Sequence, residues 1–214
     1  MKRHLKRQEA PKNWPITRKG SIFVIKNNSN GIPLLILLRD VMKIAQDRKE
    51  VKQAIHKKHL LICGKPVINE KKSLELFDIL TLVPSKKNYR LVLSEKGKYD
   101  IEETSEKESS GKIAKILGKK SIKGKKTQIN LSDGRNYISD LKCAVGDSVI
   151  IDFEKNKILK NLPIKEGSEV LITKGKYTGL KGKIMKIDHN EKMVDLDSSG
   201  KILRALIKQI MVLN

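Results

Sequence analysis

Residues 167–187, near the C-terminus, read GSEVLITKGKYTGLKGKIMKI. Two runs rich in β-branched and aliphatic residues, 169–173 and 181–187, flank a turn rich in glycine and lysine, and this pattern predicts a β-hairpin. Two further runs of the same kind follow at 193–196 and 201–206. About five short strands in so short a segment predict a small closed β-barrel.

The β pattern extends upstream through the middle of the chain, where helical periodicity is absent. Asp133 and Gly134 form a dipeptide that strongly favours a hairpin turn between two of the predicted strands. We therefore predict a central β domain, with a solvated linker or short turn at 102–110 and a flexible basic loop at 118–126. The predicted strands of this domain cover residues 112–117, 127–131, 135–138 and 148–153.

The preceding part of the chain begins with a helical pattern. Apolar residues recur at spacings of three and four, which predicts a helix over residues 33–46. Asp47 precedes Glu50 by three residues, in the manner of a capping box, and this predicts the start of a second helix. A short strand that runs into a turn is then predicted at 60–67, followed by a strand at 76–83 and its hairpin partner at 89–93.

The charge of the chain indicates a polyanionic partner. Lys and Arg total 46 against 24 Asp and Glu in 214 residues, for a formal net charge of +22. Self-repulsion on this scale opposes compaction, so we expect a nucleic acid or, second, an anionic membrane surface to neutralise it. Only eight of the basic residues are Arg. Lysine binds phosphate as a point charge, whereas Arg reads base edges, so the composition favours recognition of a backbone.

Residues 1–32 form a basic N-terminal arm. Two prolines and a cluster of charges disfavour a helix beyond the first few residues. The arm is either a disordered tail or a segment that orders on RNA with its basic side chains on phosphates. Trp14 either stacks on a base or packs on the core of the first domain.

Signatures of catalysis, metal binding and membrane insertion are missing from the sequence. It holds no nucleophile elbow, zinc-protease motif, Walker loop or dinucleotide-binding fingerprint. Cys63 and Cys143 belong to no metal-ligand pattern. The longest apolar run, 32–38, is far shorter than the roughly 18 residues that span a bilayer. We therefore expect a soluble, cytoplasmic, non-enzymatic protein with no cofactor, no metal and no small-molecule substrate.

Several segments resemble modules found in ribosomal proteins. Residues 33–83, with LICGKPV at 61–67 and FDILTL at 77–82, resemble the alpha-L RNA-binding motif. Phe77-Asp78 stands where that motif usually has Gly-Asp. Residues 167–187 resemble the KOW motif of ribosomal proteins and transcription elongation factors.

The order of these modules behind the basic arm is similar to the archaeal and eukaryotic small-subunit ribosomal protein four family. Eukaryotic members carry a basic extension after the barrel, so we expect an archaeal source. The resemblance implies an α+β, multi-domain chain that is a structural constituent of the small ribosomal subunit. It would bind ribosomal RNA, neutralise backbone phosphates, contact neighbouring ribosomal proteins, and support subunit assembly and translation in the cytoplasm. The implied parts are the basic arm (1–32), the alpha-L domain of two helices plus β-structure (33–96), the central β domain (97–163) and the KOW small β-barrel (164–214).

The resemblance also implies which residues contact RNA, although a solvated surface charge remains the alternative for each lysine. The arm would contribute Lys2, Arg3, Lys6, Arg7, Lys12 and Trp14. The alpha-L domain would contribute Arg39, Lys43, Arg48, Lys52, Lys57 and Lys65. The KOW turn and its following strand would contribute Lys174, Lys176, Tyr177, Lys181 and Lys183.

Three other functions compete with the ribosomal one. A pseudouridine synthase-like RNA-modifying enzyme would need a catalytic domain with an active-site Asp, for which the sequence offers no context. A transcription-elongation RNA-binding factor would explain the KOW motif but not the arm or the alpha-L module. A polybasic membrane-surface protein would need a basic amphipathic helix with a large apolar face, and the helix predicted at 33–46 carries only two basic residues.

Overall fold

The structure, a computed structural model, describes residues 4–26, 30–105, 108–122, 126–139, 141–188, 191–198 and 200–214. Across these residues the chain is mostly β, with few helices and several antiparallel sheets. It divides into two compact units, which are described separately: residues 1–93 with 98–110, and residues 94–97 with 111–214.

The first unit opens with a hairpin in which β1 (His4–Lys6) pairs with β2 (Phe23–Ile25). Leu5 lies opposite Val24, and Val24 is buried. The connecting loop is organised by Arg7, whose guanidinium group donates hydrogen bonds to Ser21 O at 2.8 Å and Thr17 O at 3.0 Å. Residues 4–26 are therefore ordered, and a disordered tail is the wrong description of them.

Two short helical segments follow. α1 (Leu34–Ile36) continues into a π-helical turn at Leu37–Val41 and ends well before residue 46. Lys43 has a φ of 55°, a left-handed conformation that a helix cannot contain, so the predicted helix was too long. α2 (Arg48–His56) begins after Asp47 as predicted, although Asp47 makes no side-chain cap; Glu50 instead accepts a hydrogen bond from Gln46 N at 2.7 Å.

Short β-strands complete the first unit. Five of these seven strands form an antiparallel sheet in the order β5-β4-β7-β8-β9, and the other two, β3 and β6, pair with each other. The short strand and turn predicted within 60–67 are present, and the turn lies at Cys63 and Gly64, which both have positive φ. The strand predicted at 76–83 starts late because Phe77 has positive φ. The strands are β3 (Ile32–Pro33), β4 (Leu60–Ile62), β5 (Lys65–Pro66), β6 (Ser73–Leu74), β7 (Ile79–Leu82), β8 (Lys87–Leu93) and β9 (Tyr99–Thr104).

β9 occupies part of the stretch predicted to be a solvated linker. Its residues pair with six residues of β8, from Leu93 opposite Tyr99 to Asn88 opposite Thr104. The linker prediction is therefore wrong for residues 102–104. The sequence did not indicate this strand, because its acidic side chains face solvent at the edge of the sheet and Ile101 is its only large aliphatic residue.

The second unit contains a central sheet in the order β12-β11-β10-β13-β14. The Asp133-Gly134 hairpin is present, and Gly134 has the positive φ that favours glycine there. β10 extends to residue 122, so residues 118–122 form a strand rather than the predicted flexible loop; residues 123–125 lie outside the described part. The strands are β10 (Gly111–Ile122), β11 (Lys126–Leu131), β12 (Asn136–Ile138), β13 (Ser148–Asp152) and β14 (Lys157–Leu162).

The C-terminal sheet of this unit has the order β18-β17-β16-β15-β19. Four of its strands were predicted and β19 was not. Because the described pairings run from β18 at one edge to β19 at the other, closure into a barrel remains a prediction. The strands are β15 (Glu169–Ile172), β16 (Lys181–Asp188), β17 (Met193–Ser198), β18 (Lys201–Leu206) and β19 (Ile210–Val212).

The two sheets of the second unit share buried contacts. Val149 and Ile151 of β13 belong to the core of the central sheet, whereas Ile150 packs against the core of the C-terminal sheet. Ser148 Oγ accepts a hydrogen bond from Val212 N at 2.9 Å. Lys115 Nζ reaches the carbonyl of Ile210 at 2.6 Å. Each face of β13 is therefore covered by a different core.

Candidate nucleic-acid interface

The described arm presents some of its predicted RNA contacts to solvent and uses others internally. Lys6 and Lys12 are exposed. Arg7 is half-buried, and its guanidinium group also donates to Ser21 Oγ at 2.8 Å. This geometry makes Arg7 a structural residue of the hairpin loop rather than a free phosphate contact. Lys2 and Arg3 lie outside the described residues.

Trp14 packs in the core of the first unit. Its side chain is only 1% exposed, and its indole Nε1 donates a hydrogen bond to Gly31 O at 2.9 Å. A ring enclosed in this way cannot stack on a base, so the assignment of Trp14 as an RNA contact is wrong. Core packing, the alternative that the sequence left open, is correct.

One groove lies between α2 and the segment 68–71 in the first unit. It brings together two predicted contacts, Arg48 and Lys52, with His56 and Lys71, which the prediction did not include. His56 could have been found because it lies one helical turn after Lys52, at the spacing that places two residues on one face. Lys71 is distant from α2 in sequence, and no spacing in the sequence indicated that it lies beside that helix.

The charge of Arg48 is partly compensated within this groove. Its guanidinium group lies 2.5 Å from Glu70 Oε1, and the Glu70 side chain is only 10% exposed. Burial alone would raise the pKa of Glu70, but hydrogen bonds from Arg48 and from backbone, with the positive charges of Arg48 and Lys52, lower it below its ordinary value. Glu70 therefore stays ionised, which leaves Lys52 with more of its charge available than Arg48.

The other predicted contacts of the first unit lie on separate elements. Arg39 pairs with the adjacent Asp40 at 2.8 Å and is only about one-third exposed. Lys43 is exposed at the left-handed residue that follows the first helix. Lys57 is exposed at the end of α2, and Lys65 is exposed on β5. The ammonium groups of these three lysines are therefore open to solvent, whereas the charge of the Arg39 guanidinium group is compensated by Asp40.

The glycine-rich turn between β15 and β16 displays Lys174 and Lys176 to solvent. Lys176 Nζ lies 5.5 Å from the centre of the Tyr177 ring, within cation–π range. Tyr177 itself is half-buried against the core of the C-terminal sheet, so only part of its ring is accessible. The turn can therefore present two ammonium groups and an aromatic edge to a phosphate backbone.

Lys181 and Lys183 lie at the start of β16 and are both exposed. Lys183 is directly opposite Glu169 on one neighbouring strand and Asp197 on the other. Directly opposed residues share a face of the sheet, so two carboxylates flank this ammonium group. Lys183 is consequently a weaker candidate for a phosphate contact than the lysines of the turn.

Two further lysines are buried and so are withdrawn from any interface. Lys112 Nζ lies 2.7 Å from Asp133 Oδ2, and both side chains are almost fully covered. Burial, with a smaller contribution from the positive charge of Lys174, lowers the pKa of Lys115 to about 8. Both lysines contact other elements of the second unit. The sequence alone could not distinguish them from surface lysines.

Over the described part of the chain, no helix is long and apolar enough to cross a membrane. Within the same residues, no group of three or more His, Cys, Asp or Glu side chains is arranged to hold a metal ion.

This basic, β-rich chain is similar in sequence to known ribosomal proteins. Small ribosomal subunit protein eS4 from Methanothermobacter thermautotrophicus is 35% identical over 193 residues, which cover 87% of this chain and 80% of the relative. The eS4 protein of Korarchaeum cryptofilum is 31% identical over 217 residues, covering 98% and 92% respectively. The chain belongs to the ribosomal S4e family. This confirms the resemblance predicted from the arm and the two motifs, and the archaeal relatives support its archaeal character.

The S4e assignment is consistent with the segments matched by family models. Ribosomal family S4e matches residues 85–158, and the RS4NT domain matches residues 1–29. The crystal structure of 30S ribosomal protein S4e from Thermoplasma acidophilum matches with a TM-score of 0.73 at 22% identity, covering 85% of this chain and 94% of that one. The S4e fold is therefore shared, and the S4e relatives do not support the RNA-modifying or transcription-elongation alternatives.

Proposed function

We propose that this chain is a structural, non-enzymatic component of the small ribosomal subunit that binds ribosomal RNA through its phosphate backbone. The observation that carries the proposal is a net charge of +22 on a chain whose S4e-family relatives are named as small ribosomal subunit proteins. Such a protein would neutralise phosphates where RNA helices crowd together. Its place would be the cytoplasmic ribosome, and its partners would be ribosomal RNA and neighbouring ribosomal proteins.

The proposed contact residues are the predicted ones that the structure leaves exposed and without an evident competing role. Arg7 and Trp14 are removed from the set, and Arg39, Arg48 and Lys183 are weakened by nearby carboxylates. Tyr177 would contribute an aromatic edge beside Lys176. The proposed phosphate contacts in the described residues are Lys6, Lys12, Lys43, Lys52, Lys57, Lys65, Lys174, Lys176 and Lys181.

The finer division of the chain is also part of the proposal. The arm at 1–32 and the alpha-L domain at 33–96 would form the first RNA-binding region, which α2 and its groove support. The KOW barrel at 164–214 would present the turn after β15. The central β domain at 97–163 would pack against the KOW barrel, because residues of its strand β13 contribute to the cores of both sheets.

A salt titration of the binding tests this function. The full chain would be bound to small-subunit ribosomal RNA isolated from the cells in which it is native. Each neutralised phosphate should make log K fall by about 0.7–0.9 per unit of log salt concentration, so several contacts predict a steep linear dependence. Binding that is weak and independent of salt would contradict the proposal.

A further inference from the structure

The arm hairpin carries an aromatic side chain for which the fold gives no structural role. All eight aromatic residues of the chain lie within the described part, and seven of them are buried or half-buried. Phe23 on β2 is the exception, with 58% of its surface exposed. In a chain that is only 4% aromatic, a ring turned to solvent is not explained by packing.

The hairpin places this ring beside basic and aromatic neighbours. Phe23 is directly opposite Lys6, so the two side chains share the outer face, while Leu5 and Val24 form the opposite face. The imidazole ring of His4 lies 6.2 Å from the Phe23 ring, tilted by 56°. One face of a two-stranded hairpin thus presents a flat apolar ring flanked by an ammonium group and an imidazole.

The backbone that carries Phe23 is fixed by the loop. Arg7 N donates to Ile22 O at 2.9 Å, and the Arg7 guanidinium group donates to Ser21 O at 2.8 Å. Ser21 Oγ in turn donates a hydrogen bond to Phe23 O at 3.3 Å. The ring is therefore presented from an organised loop, which reduces the ordering cost of a contact.

The charge around the ring favours a nucleic acid over a protein. Residues 4–26 hold six Lys and Arg against one Glu. A base stacked on a phenyl ring belongs to a chain whose phosphates this surface would attract, and stacking tolerates any base because each has a π-face. We propose that Phe23 stacks on an unpaired base of the bound RNA while Lys6 contacts a neighbouring phosphate.

This inference rests on the proposed RNA-binding function and adds to it the recognition of a single-stranded base. The test uses the full chain and small-subunit ribosomal RNA from its native cells. F23A should weaken binding by about 5- to 150-fold, the range that loss of one stacked base gives, without changing the salt dependence. F23Y, which keeps an aromatic face, should bind like the unsubstituted chain.

Two matched variants separate stacking from apolar burial. F23L keeps an apolar side chain but lacks a π-face, and it should weaken binding nearly as much as F23A. I202A truncates another side chain that is 72% exposed, far from the arm in sequence, and should leave affinity unchanged. Thermal unfolding of every variant checks that the exposed position has no effect on folding.

Several results would overturn the inference. Normal affinity of F23A or of F23L would show that no base stacks there. Normal RNA affinity of F23A together with its failure to enter the small subunit would assign the ring to a protein partner. If the unsubstituted chain shows no salt-dependent binding, the proposed function itself fails and this inference with it, which is distinguishable from a defect confined to Phe23 variants.

Discussion

At the scale of single residues, Lys115 is a buried lysine with a predictable effect on stability. Its pKa is about 8 in the folded chain because of burial, with the charge of Lys174 adding to the effect, against an ordinary value of 10.5. Between these two pH values the unfolded chain binds more protons than the folded chain. Stability should therefore rise with pH from about 8 to 10.5 through this residue.

This prediction is measured by urea unfolding at several pH values in that window. K115M should lose the rise in stability with pH that the unsubstituted chain shows, after subtraction of the general change in net charge. K120M serves as the control, because Lys120 is an exposed lysine on the same strand. Parallel pH profiles for K115M and the unsubstituted chain would show that Lys115 is not the source.

Gly179 is a second residue with a specific requirement. Its φ is +95°, and an added Cβ would lie 2.0 Å from the carbonyl oxygen of Ser94. G179A should therefore lower the free energy of unfolding by more than the roughly 1–2 kcal/mol that a left-handed conformation costs. Its melting temperature should fall further than that of a variant that meets only this backbone cost. G134A is the matched control, since Gly134 has a φ of +77° and nothing within 4 Å of an added Cβ. Equal destabilisation by the two substitutions would mean that the Ser94 contact relaxes at no cost.

Residue roles were predictable only where composition was informative. The basic residues as a group could be predicted to contact RNA. The amino-acid sequence does not show, however, that Lys112 and Lys115 are buried while Lys174 is exposed. Trp14 was equally undecidable, because its burial depends on Gly31 O, seventeen residues away. Phe23 escaped prediction for the opposite reason: an aromatic in a β-branched run normally indicates a core strand.

At the scale of elements, the arm hairpin depends on Arg7 rather than on the charges that surround it. R7A removes three hydrogen bonds to Ser21 and Thr17, so amide hydrogen exchange should accelerate across residues 4–26. K6A removes an exposed charge on the adjacent strand residue and should leave exchange unchanged. Equal protection in the two variants would contradict the structural role of Arg7.

The C-terminal sheet offers a contrast between two pairs of lysines. Lys183 and Lys186 are directly opposite Asp197 and Asp195 on β17, whereas Lys174 and Lys176 lie in the exposed turn. The double variant K174Q/K176Q should reduce the salt slope of RNA binding by about 1.4–1.8 if both contact phosphates. K183Q/K186Q has the same change in charge and should reduce it less. A larger loss for the second pair would place the interface on the sheet face.

Elements were predicted well where the local pattern was strong. The start of α2 and the strands β15 to β18 follow clear local patterns and were expected close to their observed positions. Several other strands were not predicted, among them β14 and β19; β14 alternates polar and apolar residues poorly, and β19 is only three residues long. The start of the strand predicted at 76–83 was wrong because Phe77 has a positive φ, which is uncommon for a residue with a large side chain and is not indicated by local sequence.

At the scale of the whole molecule, net charge and family membership agree on one role. A basic chain of the S4e family, mostly β and divided into two units, is suited to hold RNA segments through many phosphate contacts. Such a chain would belong to the small ribosomal subunit through its contacts with ribosomal RNA.

The decisive measurement is ultraviolet crosslinking in native cells, with gradient sedimentation of the same lysate and sequencing of the attached RNA. We expect stoichiometric sedimentation with the small subunit and crosslinks confined to one neighbourhood of its ribosomal RNA. Migration in light fractions with crosslinks scattered over transfer RNA or nascent transcripts would contradict it.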